Sequence, residues 1–184
     1  WWETRPEMAL ANNSVSFQRK PDIESFLDEW TALVKSGSGE RGIFNRQASK
    51  DQVARFDRRE TDWEFGTNPC SEIILRPNQF CNLSEVVVRA GDYEDDLHRK
   101  VRIATILGTA QATFTHMPYL RNVWKKNTEE EALLGVSLTG IMDNELTSDP
   151  DGQFLNSLRK HAIDTNAKYS SRFGIKQSAS ITCV

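Results

Sequence analysis

The sequence predicts an α/β fold with at least part of its sheet parallel, and three observations carry that prediction. Helical and strand patterns alternate along the 184 residues without repeats or low-complexity tracts. The run "NLSEVVVR" after Cys81 reads as a strand buried on both faces, because three consecutive valines suit the middle of a parallel sheet. The closing "SASITCV" alternates and is β-branched, so a further strand follows the last helix.

Each element has its own signal. "NNSVSFQ" reads as a short strand, after which Pro21 opens a helix with Ile23, Phe26, Leu27, Trp30, Leu33 and Val34 at helical spacing. That spacing predicts a buried face, with Phe26, Trp30 and Leu33 as a core stripe, and Gly37 closes the helix. "SGSGERG" is a turn, its glycines lacking the GxGxxG spacing of a nucleotide loop; the second half of "IFNRQASKDQVARF" is helical. A helix spans about 93–114, and Thr128 with Glu131 predicts a capping box ahead of "ALLGVSLTG", where "NTEEEALL" would be a solvated helix start. In "GVSLTG", Gly135 and Gly140 are read as packing glycines of a strand. The last helix runs over about 153–173 with Phe154, Leu158, Ala162 and Thr165 inward, and Gly174 stops it.

Composition narrows the function classes. A hydrophobic fraction of 38% and a charged fraction of 27% are those of an ordinary globular chain, and a net charge of −3 argues against a generic binder of nucleic acid or anionic membrane. The cations of "LRNVWKK", around Trp124, read as surface. No apolar run approaches the roughly 18 residues that cross a bilayer, and the first residues are not a signal core, so the chain reads as cytoplasmic. The ends, Trp1-Trp2 and the strand cut off at its tip, suggest an interior piece of a longer protein.

Two of the three cysteines lie in "NPCSEIILRPNQFC". An odd, sparse count argues against a disulfide framework, and in a reducing compartment a close thiol pair points to redox or metal work. Cys70 sits on a loop composition after Pro69, with Asn68 two residues before and Glu72 two after, and Cys81 begins the following strand. Either cysteine alone would be a small buried hydrophobe, but carboxylate and amide neighbours are seldom mere filler. Zinc fails on spacing: there is no CxxC, and His98, His116 and His161 lack the spacing of a ligand pair. A cysteine-protease nucleophile would need a histidine brought close in space, which nothing in the sequence supports.

"NPCSEI" followed by "CNLSEVVV" resembles the active-site signature of ribonucleotide reductase catalytic subunits, in particular the adenosylcobalamin-dependent ribonucleoside-triphosphate reductases. "ANNSV", "SGSGERGIFNR", "LLGVSLTGIMD" and "ASITCV" resemble segments of that family in the same order, over essentially the whole chain. The resemblance implies a partial ten-stranded α/β barrel with a central finger loop around 66–76, the chain being one incomplete segment of it. It implies that Cys70 becomes a thiyl radical taking the 3'-hydrogen of the ribose, that Glu72 is the general base on the 3'-hydroxyl, and that Asn68 orients the sugar. If the loop is extended, two-residue spacing places Glu72 on the same side as Cys70. Cys81 matches one half of the cysteine pair whose oxidation supplies two electrons. Its partner lies on an earlier strand in the family, and Cys183 sits in the wrong segment to match it, so Cys183 is read as a strand residue.

Adenosylcobalamin is the cofactor this implies, with a ribonucleoside triphosphate as substrate, thioredoxin or a similar dithiol as reductant and a deoxynucleoside triphosphate as effector. No metal site is expected. A "KPSGT"-type phosphate loop follows the terminal strand in the family and lies beyond Val184, so the chain alone is expected to be inactive. Alternatives are a class I reductase large subunit, with its radical made on a separate subunit, and a non-catalytic thiol-bearing α/β module that binds a small ligand. The short interval between the cysteines favours the cobalamin class, and Glu72 argues against the anaerobic glycyl-radical class. Asn12, Asn13 and Ser14 of "ANNS" read, on their own, as a turn.

Overall fold

A computed structural model describes residues 1–11 and 13–182, so Asn12 and Cys183 lie outside the described residues. The chain divides into two compact units, Trp1–Pro77 and Asn78–Val184.

In the first unit a 3-10 turn, Pro6–Leu10, leads into β1 (Ser14–Phe17), which pairs in parallel with β2 (Gly42–Asn45). Between them runs α1 (Ile23–Ser36). Asp22 caps it by accepting from Ser25 N at 2.9 Å, and Gly37 ends it at φ 63°, a left-handed conformation that glycine adopts without a Cβ clash. The predicted buried face is not buried. Ile23 is 72% exposed, Val34 66%, and Leu27 and Trp30 50% each; Trp30 stacks on Phe26 with ring centroids 6.1 Å apart instead of entering a core. Periodicity reports that a helix has an apolar face, not that something covers it. α2 (Arg46–Phe56) follows β2 directly, capped by Asn45, whose Oδ1 accepts from Ala48 N at 3.0 Å. A hairpin of β3 (Gly66–Thr67) and β4 (Ile74–Leu75) completes the unit, with Phe65 and Ile73 fully buried at its base.

The second unit is a three-stranded parallel sheet in the order β5 (Asn82–Val87), β6 (Leu134–Thr139), β7 (Ile181–Thr182). α3 (Glu94–Gln111) and α6 (Gly152–Phe173) pack on it and on each other. Their core is Val86, Val88, Leu97, Val101, Ala104, Val136, Phe154, Leu158 and Ala162, so the inward set predicted for α6 is the one found. Asp151 caps α6 through Gln153 N at 3.0 Å and Gly174 ends it at φ 68°. β5 departs from its expected burial on both faces: Val86 and Val88 are buried, but Val87 is 42% and Leu83 48% exposed, because helices cover one face only.

Thr128 and Glu131 do not form a capping box. Both lie inside α4 (Asn122–Glu131) and are buried; Glu131 closes the helix, and Ala132 then turns at φ 43° into β6. A short turn of helix, α5 (Glu145–Ser148), precedes α6. Gly135 packs against Leu83, whose Cδ2 occupies the space a Cβ would need, in agreement with its reading as a packing glycine. The "LRNVWKK" cations are exposed, as predicted, while Trp124 packs on Phe80 with centroids 4.6 Å apart.

The architecture is therefore mixed helix and strand with small parallel sheets. No described helix is long and apolar enough to cross a membrane.

Candidate functional site

The loop 68–73 of the β3–β4 hairpin carries Asn68, Cys70 and Glu72. Its closure is built from side chains. Thr67 Oγ1 donates to Ile73 O at 3.1 Å, and Ile73 N donates to Asn68 Oδ1 at 3.2 Å, so the side chains of β3's end tie down β4's start. Within the loop Ser71 N donates to Asn68 O at 3.1 Å and Ser71 adopts φ 62°, which reverses the chain over Pro69 and Cys70. The segment is a turn, not the extended stretch from which a shared side for Cys70 and Glu72 was expected. Alternation of side chains holds only in extended backbone, and the positive φ at Ser71 breaks it.

A different contact joins the set. Asn68 Nδ2 donates to Glu72 Oε1, while Glu72 Oε2 is buried and has no hydrogen-bond partner among the described residues. A buried carboxylate oxygen left without a donor is uncommon in folded proteins, where such atoms are nearly always paired. The thiol of Cys70 is exposed at the loop's tip. The amide thus fixes one oxygen of the carboxylate, the other is left bare to take a proton, and the sulfur is open to a reactant.

Cys81 stands in the second unit, half-buried, immediately before β5. Its neighbours are anchored: Gln79 Nε2 donates to Glu131 Oε2 at 2.6 Å, and Asn82 N and Nδ2 donate to Leu133 O at 2.9 and 3.1 Å. The rigid end of β5 therefore sets where Cys81 sits.

The histidines, dismissed on spacing, are partly brought together. His98 on α3 and His161 on α6 have ring centroids 5.4 Å apart. His98 Nε2 lies 3.0 Å from Ser157 Oγ, and burial, then the charge of His98, holds His161 below the ordinary histidine pKa. Among the described residues no group of three potential ligands gathers for a metal.

Beside the loop lies a groove of about 280 Å³ lined by Asn13, Ser14, Ser16, Phe44, Arg46, Thr67, Asn68 and Pro69, among others. Ser16 and Thr67 had not been singled out. The alternating "SVSF" was the available signal, since it puts two hydroxyls on one face of β1.

Comparison with known proteins supplies the context for this loop. A reductase from Lacticaseibacillus paracasei named adenosylcobalamin-dependent ribonucleoside-triphosphate reductase is 34% identical over 139 residues, which is 72% of this chain and 17% of that protein. Proteins of the same name from Lactobacillus gasseri and Lactobacillus acidophilus are 32% and 28% identical, over 72% and 80% of this chain and 18% and 24% of their own length. The chain is homologous to a segment of these reductases. It spans between 17% and 24% of the length of these three relatives. No family model matches, and no solved structure matches.

The relatives' names specify adenosylcobalamin. Four cavities among the described residues hold about 270 to 500 Å³, are not lined by Cys70, Glu72 or Cys81, and are each smaller than a corrin with its adenosyl group. None of these four cavities forms a cradle for that cofactor.

Proposed function

We propose that the chain is the finger-loop segment of a ribonucleotide reductase that converts ribonucleoside triphosphates to 2'-deoxyribonucleotides, within a ten-stranded barrel to which its strands contribute. The observation that carries this reading is the loop itself: an exposed thiol on a turn, flanked by an amide that holds one oxygen of a half-buried carboxylate and leaves the other, buried oxygen bare.

In this reading Cys70, as a thiyl radical, takes the ribose 3'-hydrogen. An S–H bond is comparable in strength to that C–H bond, so the transfer is reversible. Glu72 Oε2 accepts the 3'-hydroxyl proton, the 2'-hydroxyl leaves as water, and Asn68 orients the sugar while holding the carboxylate. Cys81 and a partner thiol give up two electrons and two protons, one proton leaving with the 2'-hydroxyl as water and the other ending on C2', and close to a disulfide; Glu72 then returns the proton to the 3'-oxygen and Cys70 the hydrogen to C3'. A thioredoxin-like dithiol resets the pair, and a deoxynucleoside triphosphate tunes the complete enzyme.

Replacing Cys70 by serine in the complete polypeptide is expected to abolish deoxyribonucleotide formation, because an O–H bond is too strong to carry the hydrogen. Continued reduction by Cys70→Ser would overturn the reading.

A further inference from the structure

Residues 78–82 form a strap leading into β5, and α4 with its two flanks grips that strap on both sides of Cys81. Arg121 Nη2, just ahead of α4, donates to Asn78 Oδ1 at 2.8 Å, and Asn127 Nδ2 donates to Asn78 O at 3.4 Å. Gln79 Nε2 donates both to Asn127 O at 3.2 Å and to Glu131 Oε2 at 2.6 Å. Phe80 packs on Trp124, and Asn82 is tied twice to Leu133 O. Gln79, Asn127 and Glu131 are 5%, 2% and 3% exposed, so their bonds are made away from the competition of water.

The reaction above gives Glu131 no part, and its burial calls for a reason. A carboxylate taken out of water is costly even when paired, and an apolar side chain would pack at that position at less cost. What the carboxylate adds is direction: a hydrogen bond to a charged group fixes the Gln79 side chain, and with it the strap, more tightly than apolar contact does. Closing a disulfide needs such a fix, since the two Cβ atoms must come to roughly 3.5–4.5 Å with a defined torsion. We propose that Glu131, through Gln79, is a positioning residue that holds Cys81 for disulfide closure, the step in which Cys81 and its partner thiol pass two electrons and two protons to the sugar. Hydrogen abstraction at Cys70 does not pass through this strap. The choice of step rests on the reductase reading; the clamp on residues 78–82 does not.

Gln79→Glu in the complete polypeptide tests it, because it sets a carboxylate against Glu131 in place of a donor. The readout is the ratio of free base released to deoxynucleotide formed. That ratio is expected to rise about tenfold, the scale of a lost hydrogen bond to a charged group, while nucleotide is still consumed. The double variant Gln79→Glu/Glu131→Gln puts donor and acceptor back in reversed order and is expected to bring the ratio part of the way to that of the wild type, a recovery that general loosening would not give. Glu131→Gln alone keeps the shape and an acceptor but removes the charge; it is expected to raise the ratio about threefold and decides the matter if Gln79→Glu does not fold. An unchanged ratio, base release and product falling together in both single variants, or no recovery in the double variant would each overturn the proposal. Failure of the reductase reading is distinguishable, since the wild-type polypeptide would then form no deoxynucleotide. Alkylation of Cys81 by iodoacetamide, followed by peptide mass, still tests the clamp in that case: about tenfold faster labelling is expected in Gln79→Glu, and equal labelling would overturn it.

Discussion

Glu72 has one oxygen held by Asn68 and the other buried without a donor, and the proposed proton transfer depends on that asymmetry. Glu72→Gln keeps the shape and removes the base. Turnover of the complete enzyme is expected to fall about a hundredfold or more, the scale of general-base catalysis, with nucleotide affinity changed far less. Near-normal turnover would take Glu72 out of the mechanism. Asn68→Asp is expected to lower turnover as well, because it sets a second carboxylate against the first in place of a donor; steady-state kinetics at several pH values check this, and partial recovery at lower pH, where one of the two is protonated, is the predicted signature. The residues of this loop were legible as types and spacings. Their arrangement was not, since a positive φ at Ser71 is a property of the folded turn that no spacing rule announces.

At the scale of elements, α6 was readable because inward stripe and glycine stop agree, Phe154 to Thr165 and Gly174, while its Asp151 cap emerged only from the structure. Leu158→Ala, which empties the middle of that stripe, is expected to cost about 2–5 kcal/mol in a denaturant titration. α4 was misread because Thr128 and Glu131 match a cap pattern that also occurs inside helices, and only the burial of Glu131 against Gln79 separates the two cases. The α3–α6 contact adds a pH dependence. Burial first, then the charges of His98 and Arg102, lower the pKa of His161 from 6.5, while Asp164 opposes them. A lowered histidine is neutral in the folded state, so the unfolded chain binds the extra proton: stability is undiminished above about 6.5 and falls as the pH drops from there towards the folded-state value. Asp22 and Asp92, held below 3.8 chiefly by the Ser25 amide and by Lys100, titrate beneath that window. The midpoint of thermal unfolding is therefore expected to fall between about pH 7 and 5, and His161→Phe is expected to flatten the slope; an unchanged slope would remove His161 as its source.

For the whole molecule, alternation of strand and helix was enough to read the α/β class and the parallel pairing, because both follow from local pattern and connection length. Burial was less legible. The exposed apolar face of α1 and the one-sided cover of β5 depend on what packs against them, which lies outside any local window. The chain alone is expected to reduce no ribonucleotide, and turnover by the isolated 184 residues with adenosylcobalamin and a dithiol would contradict that expectation. The central claim is a division of labour between the thiol on the loop and the thiol before β5, and it is tested most directly by following free-base release alongside deoxynucleotide formation in the complete polypeptide. Cys81→Ser is predicted to consume nucleotide and release base without making product, since hydrogen abstraction survives while the two-electron reduction fails, and Cys70→Ser is predicted to do neither. Identical behaviour of the two variants, or deoxynucleotide formed by either, would contradict the account.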